Sequence, residues 1–146
     1  MATAAITGTA GDGITESEIV AGSETIIITL TGDTWVATVG ADNAITTALI
    51  AGIDSDGSET AGWDAEVKGN MVFGDVTRTS STVVTIILAA ESAFDITLPE
   101  TVTVTIPTTA LTAAVEITAS PTILVSKSAS PTHSNIAGPG QLLRTG

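Results

Sequence analysis

The sequence contains no cysteine and no tyrosine, a single histidine, four basic residues, and only two tryptophans and two phenylalanines. Each shortage removes a class of function. Without cysteine there are no disulfides, no thiol chemistry and no thiolate zinc site, and the redox compartment is left open. With one histidine, His133, in a Ser/Pro-rich stretch, no Ser-His-Asp relay and no ordinary zinc site is available. Four cations against sixteen acids give a net charge of −12. A surface of that sign repels phosphate backbones and anionic lipid, so nucleic acid and membrane are excluded as partners. Long apolar runs are missing too. The longest, Ile86-Ile87-Leu88-Ala89-Ala90, is far short of a membrane span. The start, Met1-Ala2-Thr3-Ala4-Ala5-Ile6-Thr7-Gly8, has neither the basic region nor the apolar core of a signal peptide. The expectation is a chain made in the cytosol.

What is present is β-forming material. Hydrophobic residues make up 43% of the 146, and mean hydropathy is +0.45. That is too apolar for disorder and long enough for one domain with a core. The clearest stretch is Glu100-Thr101-Val102-Thr103-Val104-Thr105-Ile106. Side chains of a strand alternate between faces, so Val102, Val104 and Ile106 share one face and the threonines the other. Strands are also expected over 24–30, 33–39, 63–67, 71–79, 82–88, 94–98 and 114–119. Ile45, Leu49 and Ile53 recur every four residues behind Asp42-Asn43, which predicts one short helix over about 43–53. Seven or eight short strands separated by turn signals favour an all-β, antiparallel two-sheet sandwich.

The organisation expected is a flexible lead-in over 1–13, a β domain over 14–119 and an extended arm over 120–146. The composition shifts at Ser120 to Ser, Pro, Thr and Gly, and Ala-Ser-Pro-Thr occurs at 119–122 and again at 129–132. The apolar handholds of this arm are Ile123, Leu124, Val125, Leu142 and Leu143, with Lys127 and Arg144 as its cations. No residue set nominates a catalytic group, a cofactor or a metal. Asp54-Ser55-Asp56-Gly57-Ser58-Glu59 has calcium-like oxygen ligands, but in an EF-hand register Gly52 and Trp63 fall where carboxylates are required. It reads instead as an acidic helix exit.

Three blocks, taken together, resemble a known family. They are the run Gly22-Ser23-Glu24-Thr25-Ile26-Ile27-Ile28 through Thr34-Trp35-Val36; then Leu49-Ile50-Ala51-Gly52-Ile53-Asp54-Ser55 through Gly62-Trp63-Asp64-Ala65-Glu66-Val67; then Val76-Thr77-Arg78 through Ile86, Phe94-Asp95-Ile96-Thr97 and the alternating strand ending at Pro107. This is similar to the Ig-like β-sandwich module of tailed-bacteriophage structural proteins. The resemblance covers about 14–119, and the family pattern often has Tyr where this chain has Phe94. It implies a non-enzymatic virion protein, foremost a capsid decoration (cement) protein on the outer shell. The partners it implies are the major capsid protein and neighbouring copies, in a homo-oligomer such as a trimer. Ile123, Leu124, Val125, Lys127, Leu142, Leu143 and Arg144 would then be the assembly contacts. A tail tube, collar or fibre module is the alternative within the virion, and a surface adhesion or carbohydrate-binding module the alternative outside it.

Overall fold

The alternation in the sequence resolves into two four-stranded sheets. A computed structural model describes residues 1–8 and 13–127, with the backbone alone of 140–141 and 143–144. The first sheet has the order β1-β3-β6-β5, built from Thr3–Thr7, Glu24–Thr31, Val83–Leu88 and Val76–Arg78, and every pairing in it is antiparallel. The second has the order β2-β8-β7-β4, built from Ile14–Thr15, Thr122–Ser126, Glu100–Val104 and Ile53–Ser55. In it β7 pairs antiparallel with β4 and β8, whereas β2 runs parallel to β8. A short parallel pair, β9 (Gly140–Gln141) with β10 (Leu143–Arg144), lies outside both sheets. Among the described residues no helix is long and apolar enough to cross a membrane.

One buried cluster draws on both sheets. It takes Ile26, Ile28 and Leu30 from β3, Val84, Ile86 and Leu88 from β6, Val102 and Val104 from β7, and Ile123 and Val125 from β8. Trp35, Trp63 and Phe94 are its large members. The side chains between them, the threonines of β3 and β7, are half-buried or exposed, as the period of two requires.

Helix α2 (Ala44–Ala51) forms where expected. Asn43 is its cap, its side chain accepting the Thr46 N–H at 2.9 Å. Helix α1 (Glu16–Ala21) was not foreseen, although the sequence carries its signal. The Glu18 carboxylate accepts the Thr15 N–H at 2.8 Å, and Gly22 ends the helix at φ 70. Alanine at 22 would meet Ala90 as well as a left-handed backbone.

Several expectations are corrected. Thr3–Thr7 is an edge strand of the first sheet, not a flexible lead-in, and Ala2 is buried. Trp63–Val67 is a π-helical turn rather than a strand. Trp63 and Val67, four apart, share its buried side, while Ala65 is exposed. The backbone of 33–39 contributes one bridge, Trp35 to Leu111, and 71–79 a three-residue helical turn (Phe73–Asp75) before β5. The 94–98 segment buries Phe94 and Ile96 as alternation requires, yet its N–H groups go to carboxylates and to the carbonyls of Glu91 and Ala61, not to a ladder. The 114–119 segment forms no strand either, and Ala114 sits at φ 56. Residues 122–126, assigned to the arm by their Pro/Ser-rich surroundings, are β8 between β2 and β7.

Candidate interaction surface and the acids behind it

The residues expected to grip a neighbour are divided by the fold. Ile123 and Val125 face inward on β8 and are 7% and 0% exposed, so they belong to the chain's own core. Leu124, on the outer side of the same strand, is 45% exposed and stays available. Lys127 is held within the chain, its ammonium 3.0 Å from Asp95 and 3.3 Å from Glu16. The hydrogen bond to Asp95, then that to Glu16, raises the Lys127 pKa, and the same ammonium lowers that of Asp95. Leu143 and Arg144 are described by backbone only, and Leu142 and His133 lie outside the described residues.

The other cations among the described residues are also engaged. Lys68 lies 2.6 Å from Asp54 and 4.0 Å from Asp64. The hydrogen bond from Lys68, then contact with Asp64, holds the Asp54 carboxyl below its ordinary value. Arg78 donates Nε–H to the Trp35 carbonyl at 3.2 Å. Both lysines among those residues are therefore paired with carboxylates, and acids remain in large excess.

The acidic 54–59 loop works as a bracket. Asp64 accepts both the N–H and the hydroxyl of Ser55, at 3.0 and 3.1 Å. Asp56 accepts the Thr101 N–H at 2.8 Å, and Glu59 accepts the N–H groups of Thr97 and Leu98, at 2.9 and 3.0 Å. Among the described residues no group of three His, Cys, Asp or Glu side chains is placed to hold a metal ion.

The two backbone donors, Leu98 foremost, lower the Glu59 pKa from its ordinary 4.5. A carboxyl depressed by folding contributes stability above its unfolded value, and that contribution is lost as pH falls through the folded one. The window lies on the acid side. Glu59→Gln is therefore expected to shrink the loss of urea midpoint between about pH 5 and pH 3. An acid limb identical to that of the parent would show that this bracket has no part in it.

Behind the loop lies an acid that the strand reading passed over. Glu100 is 2% exposed. Its Oε1 accepts the Trp63 N–H at 3.0 Å, while its Oε2 has no partner. Gly57 and Gly62 leave the room it occupies, since a Cβ on either would collide with the Glu100 carboxylate. Trp63 is fixed a second time, its Nε1–H donating to the Ile53 carbonyl at 3.1 Å. The signal was in the alternation: Glu100 has the parity of Val102 and Val104 and must point inward with them.

Two surface hollows among the described residues bear on contact with a partner. One, of about 230 Å³, lies between residues 56–59 and 98–100 and is walled by the bracket acids and Leu98, itself 68% exposed. The other, of about 180 Å³, is apolar, formed by Thr47 and Ile50 of α2 with Met71, Val72 and Phe73. Val72 is 58% exposed there. Apolar groups gathered in a hollow of an acidic surface suit contact with another protein more than bond-making. Neither a family model, nor a curated protein, nor a solved structure matches this chain.

Proposed function

We propose that the chain is a structural protein of a bacteriophage virion, a decoration protein seated on the outside of the assembled capsid, and that its two sheets are the halves of an Ig-like sandwich. The strand orders support the fold assignment. Labelled in chain order with β1 and β2 as two parts of a first strand A, they read A-B-E-D and A-G-F-C, the division an Ig-like sandwich has. The observation that carries the assembly role is the apolar hollow of Ile50, Met71, Val72 and Phe73. A protein that binds only the assembled shell stabilises it by mass action, and such a hollow is the anchor point for a capsid side chain. Its partners would be the major capsid protein and further copies of itself. The acidic surface directs it to basic rather than acidic capsid faces. A sugar-binding role is disfavoured because Trp35 and Trp63, the obvious stacking platforms, are 1% and 0% exposed.

Immunogold labelling of purified particles tests the location. Gold over heads supports decoration, gold confined to tails replaces it with a tail module, and no gold on intact particles overturns the virion reading. On heads, Val72→Asp is expected to weaken particle binding at least about tenfold with an unchanged melting midpoint. Undiminished binding would remove the hollow from the interface.

A further inference from the structure

The hollow between residues 56–59 and 98–100 is a cleft of one sign. Three of the seven residues that line it, Asp56, Glu59 and Glu100, are acids and none is a cation. The two lysines are held elsewhere, Lys68 by Asp54 and Asp64 and Lys127 by Asp95 and Glu16. A cleft lined by one sign of charge, with walls of low dielectric, concentrates the potential inside it.

An acidic rim alone is ordinary surface. This one has a buried acid in its wall. Glu100 lines the hollow yet is 2% exposed, and its Oε2 has no hydrogen-bond partner among the described residues. A buried carboxylate oxygen without a donor is uncommon, because leaving water costs free energy that a hydrogen bond normally offsets. The loop is shaped around it. A Cβ at Gly57, which also lines the hollow, would run into the Glu100 carboxylate, so the acid lies directly against a wall residue that has no side chain. This places the unpaired oxygen at the floor of the hollow. Asp56 and Glu59 are fixed above it by the backbone N–H groups they accept. An ionised carboxylate offers about four lone-pair sites, so both can accept more.

We propose that this hollow receives the side chain of an arginine on a partner protein, its guanidinium shared among Asp56, Glu59 and Glu100 and its aliphatic stem laid against Leu98 and Pro99. The geometry selects the cation. No three acids among the described residues converge on a point where a metal ion could sit. A point charge, whether a metal ion or a lysine ammonium, therefore meets these carboxylates one or two at a time. A guanidinium carries five N–H donors in a planar fork and reaches carboxylates that do not converge. It is also more weakly hydrated than an ammonium, so it loses less on entering a partly enclosed cleft. Leu98 is 68% exposed and gives such a stem an apolar surface to rest on. The hollow, about 230 Å³, is smaller than the pockets of about 300–1,000 Å³ that hold whole ligands, and suits a single side chain. The inference does not depend on the virion reading.

Titration of the full, isotopically labelled chain with Nα-acetyl-arginine methylamide tests it, read by amide chemical shifts. The N–H groups of Trp63, Thr101 and Leu98 are bonded to Glu100, Asp56 and Glu59, and their signals should move together and saturate. The citrulline analogue, of the same shape without the charge, should leave them in place, and the lysine analogue should bind at least about threefold more weakly. Free arginine should bind no better than the capped form. Glu100→Gln keeps an acceptor for the Trp63 N–H and should raise the dissociation constant at least about tenfold. Because that change is buried, Ser58→Lys gives a separate reading. Ser58 is exposed on the wall of the hollow, so a cation there should weaken binding comparably with an unchanged melting midpoint. Shifts that do not saturate, that the citrulline analogue reproduces, or that survive both substitutions overturn the proposal. So does tighter binding of free arginine, which would make this a site for the amino acid. Saturation of the same signals by calcium chloride at lower concentration overturns it too, assigning the cleft to an inorganic cation.

Discussion

A chain cut after residue 119 is expected to lose its cooperative unfolding transition, whereas one cut after Lys127 should keep it. The difference is β8. Its residues 122–125 lie opposite Thr103, Val102, Thr101 and Glu100 of β7, and Val125 lies opposite Ile14 of β2 on the other side. Burying one aliphatic side chain of this size contributes about 1.5–3 kcal/mol. The shorter chain loses Ile123 and Val125 outright and uncovers Ile14, Val102 and Val104, all at 0% exposure in the intact fold. It also leaves β2 with no strand partner. These losses together match the whole stability of an ordinary domain, about 5–15 kcal/mol. Far-UV circular dichroism through a urea titration reads the result directly. A native-like midpoint in the chain ending at 119 would return β8 to the status of a dispensable arm. The comparison also bears on any binding experiment, because lost binding in that shorter chain would report unfolding rather than a missing contact.

Trp63→Ala should be the most damaging single substitution. Trp63 is fully buried, at 0% exposure, and its indole N–H holds the Ile53 carbonyl at the head of β4. Truncating a buried aromatic costs about 3–5 kcal/mol once the cavity left behind is included. A carbonyl left without its donor adds about 1–3 kcal/mol if water does not reach it. Trp63→Phe keeps much of the packing and loses the hydrogen bond, so a smaller loss, about 1–3 kcal/mol, is expected there. Equilibrium denaturation with a shared slope separates the two effects. Equal losses in both variants would show that the indole hydrogen bond, rather than the packed volume, fixes this corner.

Where the fold was legible, it was legible through side-chain period. Strand β7 needed only the alternation of Val102, Val104 and Ile106, and α2 only the four-residue spacing of Ile45 and Leu49 behind Asn43. Two of the readings that missed share a physical cause. In 63–67 and 94–98 the alternation or spacing of buried residues was real, but carboxylates took the N–H groups that a ladder would have used: Glu100 at Trp63, Glu16 at Ile96, Glu59 at Thr97 and Leu98. Period tells which side chains are buried and not who bonds the backbone. The arm failed for a different reason. Composition over 120–146 averaged the five residues of β8 into their Pro/Ser surroundings, hiding the alternation of Ile123 and Val125. Of the surface, the arm residues were named and the apolar hollow was not. Thr47 and Ile50 are far in sequence from Met71, Val72 and Phe73, and only the tertiary structure puts them side by side.

The placement of β8 also sets a timetable. Ile14 pairs with Val125 across most of the chain, so the second sheet cannot close until the ribosome has delivered nearly the whole domain. The first sheet is complete by Leu88 and can assemble earlier. During that interval β7 waits with one side unpaired, the period in which a nascent β protein is most open to wrong partners. Closing so long a loop carries an entropic cost that only the final pairing recovers, which puts this chain among the slower folders of its size.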